Sequence, residues 1–181
     1  MVNGGTLAEI GELYGLSDQP PNDNDYQIGL ANVSDANRIW GEVPSVRFFL
    51  SQISATRFEA TAFKKQLRLF GISTFVAHSD IQPTKEWLEE ILCALRTMDA
   101  LGAYLVEGFP NSAWTDQEVG YALARNVPII PLKFDRDPYG FIGRFQALSC
   151  LTKRADQIAY DLARLLIENP ASQSKMSDAL A

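Results

Sequence analysis

From Val46 onward the chain alternates short apolar runs with longer segments whose apolar positions recur every three or four residues. Val46-Arg47-Phe48-Phe49-Leu50, Ile72 to Ala77, Leu101 to Val106 and Val127 to Leu132 read as strands, and a short further strand is expected near Ala147 to Cys150. The segments Ala55 to Phe70, Thr84 to Met98, Ala113 to Arg125 and Lys153 to Ile167 carry helical spacing. A strand with apolar side chains pointing both ways has to be covered on both faces, and strands separated by crossover helices run parallel. The pattern therefore predicts a parallel sheet between two layers of helices. Pro128 and Pro131 place the fourth strand at or near an edge, because proline donates no ladder hydrogen bond.

Within the first of those helices Phe58, Ala62, Phe63, Leu67, Leu69 and Phe70 are expected to form the buried half. Arg57, Lys64, Lys65 and Arg68 face water, and Gly71 closes the helix. In the second, capped by Thr84, the buried arc is Trp87, Leu88, Ile91, Leu92, Leu95 and Met98. The last helix buries Ile158, Leu162, Leu165 and Leu166, and Pro170 ends it. Residues 1–44 differ in texture, with a short helix over Leu7 to Leu16, a turn-rich run from Ser17 to Asp25, and a helical piece around Ser34 to Trp40 that can lay Ile39 and Trp40 against the main body. The chain thus divides into an extension of unknown role over 1–44, one domain over 45–170 and a mobile polar tail over 171–181.

Charge and composition narrow the chemistry. With 16 basic against 22 acidic residues and a net charge of -6, there is no general attraction to nucleic acid or to anionic membrane. No run is long enough to span a membrane and the first residues lack a signal-peptide pattern, so a cytoplasmic protein is expected. Two cysteines without a CxxC pair and a single His78 assemble neither a disulfide framework nor a structural zinc site, and no metal is expected. A GxGxxG turn and a Walker A loop are both missing, which sets aside the usual dinucleotide and triphosphate cradles. Ser51, His78 and Asp80 have the types of a hydrolase triad but rest on no nucleophile-elbow motif.

What is left is a helix start. Ser112 can cap a helix that carries Trp114 and Glu118 four residues apart on one face, with Val119, Ala122 and Leu123 on another. By that reading Glu118 lies at the edge of the core. In parallel sheets ligands bind beyond the carboxyl ends of the strands, where the strand order reverses. For a 2-1-3-4 order the crevice lies between the loops after the first and third strands, Ser51 to Ser54 and Glu107 to Asn111, and the second loop delivers Trp114 and Glu118.

The order of these segments resembles a Toll/interleukin receptor (TIR) domain of the bacterial type. The resemblance is carried by Phe48-Phe49-Leu50-Ser51, by Gly71 to Ala77, by the loop His78-Ser79-Asp80-Ile81-Gln82-Pro83, by Trp87 and Ala94-Leu95, and by Ser112 to Gly120 with its Trp-x-x-x-Glu spacing. It implies a flavodoxin-like three-layer sandwich whose sheet of four to five strands has the order 2-1-3-4-5. It also implies an NAD+ nucleosidase that cleaves the nicotinamide–ribose bond to ADP-ribose or a cyclic isomer, with the catalytic glutamate falling on Glu118. NAD+ would be the substrate, with no cofactor. Ser51, Gln52, Ile53, Asp80, Ser112 and Trp114 are expected around the substrate. Self-association through TIR contacts, a trigger or downstream partner and a role in antiphage defence are implied in the same way. An adaptor working through TIR–TIR assembly alone, and a nucleoside deoxyribosyltransferase-like enzyme, are the alternatives.

Overall fold

The computed structural model describes residues 33–41, 45–76 and 85–180. The expected helix over Leu7 to Leu16, the run from Ser17 to Asp25, the loop from His78 to Pro83 and the Thr84 cap lie outside the described residues, as does the side chain of Trp87.

Five strands form one sheet: β1 (Val46–Ser51), β2 (Ile72–Val76), β3 (Ala100–Leu105), β4 (Ile129–Lys133) and β5 (Leu148–Ser149). Their order is 2-1-3-4-5 and every pairing is parallel, as expected. Phe49 at the middle of β1 stands opposite Phe75 on β2 and Leu101 on β3, which sets the register of the central three strands. The proline-bearing β4 is one strand in from the edge, and Pro131 lies opposite Ala103.

Among the described residues six helices accompany the sheet: α1 (Val33–Trp40), α2 (Arg57–Arg68), α3 (Lys85–Thr97), α4 (Ala113–Ala124), α5 (Ala155–Glu168) and α6 (Gln173–Leu180). Because successive strand residues point to opposite faces, β1 divides its side chains between two cores. Phe48 and Leu50 join Phe63 and Leu67 of α2 and Ile158, Leu162 and Leu166 of α5. Phe49 joins Trp40 of α1, Ile91 and Leu95 of α3, and Val119 and Ala122 of α4. Ser51, two residues beyond Phe49, therefore falls on the α4 side. Gly102 on β3 makes room for this packing, since a Cβ there would come within 2.4 Å of Phe48 Cζ.

The short piece around Ser34 to Trp40 is α1, and it is tied down. Trp40 Nε1 donates to Thr97 Oγ1 at 2.7 Å, Ser73 Oγ donates to the Trp40 carbonyl at 2.7 Å, and the Trp40 ring meets Phe75 edge-on.

Several burial expectations are corrected. On α2 only Ala60, Phe63 and Leu67 are buried; Phe58 and Leu69 are 73% and 75% exposed and Ala62 is exposed too. A helix on a flat sheet buries a narrow i, i+3, i+7 stripe, and a residue two positions off that stripe points about 200° away from its neighbour on it. Leu88 on α3 and Leu165 on α5 are likewise exposed in part. Past Pro170 the polar tail is helix α6, with Met176 and Ser172 fully buried.

Candidate functional site

The strand order reverses at β1, whose neighbours are β2 on one side and β3 on the other. Beyond the carboxyl end of β1 the chain runs through Gln52 and Ile53 into a short 3-10 turn, Ser54–Thr56. The Thr56 hydroxyl lies within this loop 2.8 Å from Gln52 Oε1 and 2.9 Å from the Ile53 carbonyl oxygen, either of which can accept its one proton. Beyond β3 comes Gly108 at φ +90, a left-handed conformation that favours glycine, and then a 3-10 turn, Phe109–Asn111. A Cβ on Gly108 would lie 3.3 Å from Ile53 Cδ1, so the two loops meet here.

Helix α4 starts from the second loop. Ser112 is extended at φ -94 and ψ 114, and its Oγ accepts from Thr115 N at a long 3.5 Å. Thr115 strengthens the start: its hydroxyl is 2.9 Å from both the Phe109 and the Ser112 carbonyl oxygens. Tyr139, from the segment after β4, donates from its hydroxyl to Asp116 Oδ1 at 2.7 Å and meets the ring of Phe109 edge-on. These contacts fix the first turn and so aim the second.

The second turn carries Glu118. Thr115, Glu118 and Ala122 form the inward stripe of α4, and Glu118 is 3% exposed, deeper than the core-edge position expected from the sequence. Glu118 Oε2 accepts from Ser51 Oγ at 2.5 Å, and Ser51 is itself fully buried. Among the described residues no cation faces the carboxyl, and burial raises its pKa from 4.5 to about 8 against the opposing effect of the Ser51 hydrogen bond. Thr74 Oγ1 is the one fully enclosed side-chain oxygen or nitrogen lacking a hydrogen-bond partner among the described residues. One carboxyl oxygen is held from inside by Ser51.

Of the residues expected around the substrate, Ser51 and Glu118 are in direct contact. Gln52 is buried and Ile53 half-buried in the first loop; Ser112 and Trp114, both half-buried, belong to the start of α4. Asp80 lies outside the described residues. Sequence reasoning missed Thr115 and Tyr139, although a threonine three residues after a capping serine is a legible sign of a reinforced helix start. A depression of about 400 Å3 lined by Lys153, Asp156, Gln157, Tyr160 and Asp161 shares no residue with this site. Among the described residues no cluster of His, Cys, Asp and Glu could hold a metal, and no helix is long and apolar enough to cross a membrane.

A doubly wound parallel sheet with a buried glutamate on the helix after the third strand defines a class of α/β domain rather than one activity. The comparison with protein families is more specific: the TIR domain family matches residues 48–166, from β1 to the last turn of α5. The chain belongs to the TIR domain family, which includes NAD+-cleaving enzymes. A comparison with curated proteins found no match.

Proposed function

We propose that this protein is an NAD+ nucleosidase that breaks the bond between nicotinamide and ribose, with Glu118 as its catalytic carboxylate. The observation that carries this reading is the placement of Glu118: buried, free of any cationic partner among the described residues, and bonded to Ser51 at the carboxyl end of the strand where the sheet order reverses.

The chemistry suits a lone carboxylate. The nicotinamide ring is cationic in NAD+ and leaves as a neutral molecule, taking both electrons of the C1′–N bond, so no general acid is needed. Positive charge then develops on the ribose, and a carboxylate in a poorly solvated site stabilises it far better than water would. Water attacks C1′ and gives up a proton, which Glu118 can accept, to yield ADP-ribose; attack by a nucleophilic atom of the same molecule yields a cyclic isomer instead. A buried glutamate that holds its proton up to about pH 8 suits a cationic ligand, because the arriving charge favours the ionised form. Trp114, one turn before Glu118, would form the wall of the site, and Gln52, Ile53, Asp80 and Ser112 its rim.

Incubating the protein with NAD+ and reading products by mass tests the reading directly. We expect nicotinamide with ADP-ribose or a cyclic isomer from the wild type, and a loss of at least about a hundredfold in turnover for Glu118→Gln with the fold retained. Turnover that survives this change removes Glu118 from the mechanism. Deoxynucleosides in a parallel tube separate the deoxyribosyltransferase reading.

The adaptor reading draws support from the enclosure of Glu118. An adaptor would self-associate equally well as wild type and as Glu118→Gln, and would release no nicotinamide at any concentration. Cytoplasmic residence and a part in antiphage defence signalling belong to the enzyme reading, in which assembly with further copies or with a trigger protein would control access to the site.

A further inference from the structure

The hydroxyl of Ser51 is fully enclosed and within 2.5 Å of Glu118 Oε2. Such a group has little means of touching a substrate, yet it is built into the end of β1 where strand alternation turns it toward α4. We infer that Ser51 is a positioning residue: by donating to Oε2 it fixes the rotation of the Glu118 carboxyl. This rests on the reading of Glu118 as the catalytic carboxylate.

The geometry leaves Ser51 few other roles. β1 is held by its parallel neighbours β2 and β3, so the strand does not depend on the serine side chain for its place. Glu118 is anchored to α4, and rotation about its own side-chain bonds is the freedom left to it. A single donor on one carboxyl oxygen removes that freedom, because turning the carboxyl over would break the bond without replacing it. A hydrogen bond to a charged group also favours the charged form, so the same contact brings the carboxyl toward ionisation while burial opposes it. Other titratable groups near the helix are directed elsewhere: Asp116 accepts from Tyr139, and Arg125, at the far end of α4, donates to the Leu95 and Met98 carbonyls. Among the described residues Ser51 is the one group that offsets the effect of burial on Glu118.

Two readouts test the inference separately. The first is the titration of the Glu118 side-chain carboxyl, followed by carbon NMR and assigned with Glu118→Gln. Loss of a hydrogen bond to a charged group predicts that Ser51→Ala raises its midpoint by about one pH unit or more. The second is NAD+ turnover, where Ser51→Ala is expected to lower kcat by about tenfold to a hundredfold while KM stays within about twofold, since the contact orients a reacting group rather than binding the ligand. Ser51→Cys fills the space of the hydroxyl with a weak donor, and its kcat should stay low; recovery with cysteine would show that volume mattered and would overturn the inference. A Glu118 midpoint unchanged by Ser51→Ala overturns it as well, and so does an unchanged kcat. Should the wild type release no nicotinamide, the enzyme reading fails by itself, and the NMR titration still decides whether Ser51 holds the carboxyl.

Discussion

Two buried polar side chains have opposite relations to their surroundings. Among the described residues Glu118 has one hydrogen-bond partner, Ser51, and burial lifts its pKa from 4.5 to about 8. The folded protein thus keeps a proton on this group across a range in which the unfolded chain has released it. Stability linked to Glu118 is fully present below about pH 4.5 and declines as pH rises toward 8, because the folded state binds the extra proton over that window. Thermal unfolding of wild type and Glu118→Gln across this window should show the difference between the two growing with pH in favour of the glutamine variant; parallel curves would mean that Glu118 is not perturbed. Thr74 on β2 shows the simpler case. Its hydroxyl is fully enclosed and has no hydrogen-bond partner among the described residues, and its face of the strand is lined by Ile72 and Val76. Replacing that hydroxyl with a methyl removes an unsatisfied polar group at almost no change in shape, so Thr74→Val is expected to add about 1 kcal/mol. Chemical denaturation checks this, and a lower stability in the variant would mean that the hydroxyl has a partner in solution.

At the level of whole elements, what could be read in advance was periodicity. β1, β2, β3 and β4 stand within a residue or two of their expected bounds because short runs rich in apolar, β-branched and aromatic residues, punctuated by Gly71 or by proline, have few other ways to fold. The burial of α2 was less legible, since Phe58 and Leu69 are as apolar as Phe63, and nothing in the local pattern says which stripe the sheet will take. Helix α6 was not legible either: Gln173 to Leu180 offers only Met176, Ala179 and Leu180 as apolar positions, a stripe of one turn that is too short to mark a docked helix. Tertiary contacts account for it. Met176 is fully buried, Ser172 Oγ donates to the Leu166 carbonyl at 2.6 Å, and Lys175 pairs with Asp99, whose other oxygen accepts from the backbone of Arg47 at the start of β1. Gly71, at φ +68, lies against Ala179, where an added Cβ would come within 2.7 Å of the carbonyl oxygen. Helix α6 thus seals the end of the sheet opposite the site. Met176→Ala should cost about 2–4 kcal/mol, measured by denaturant unfolding, while leaving NAD+ turnover at low temperature intact. A cost near zero would show that the helix is not docked in solution.

Over the whole molecule, topology turns an ordinary glutamate into a candidate. The Trp114 and Glu118 spacing by itself describes many amphipathic helices; the strand order brings the helix after β3 beside the end of β1, and only then do Ser51 and Glu118, far apart in sequence, meet. That contact was not legible, because helical spacing ranks Glu118 as a boundary residue until the sheet is laid over it. The same scale governs assembly. The surface carries a net charge of -6, which opposes close approach of copies, and it also exposes Phe58, Leu69, Phe141 and Leu151, apolar groups that association could cover. Salt screens the first effect, and sulfate strengthens the second by its exclusion from protein surface. If turnover depends on assembly, nicotinamide released per molecule should rise with protein concentration and rise further with added sodium sulfate, in step with an increase in mass by light scattering. Turnover per molecule that stays flat while the scattering mass grows would separate assembly from catalysis and leave Glu118 at work in the monomer.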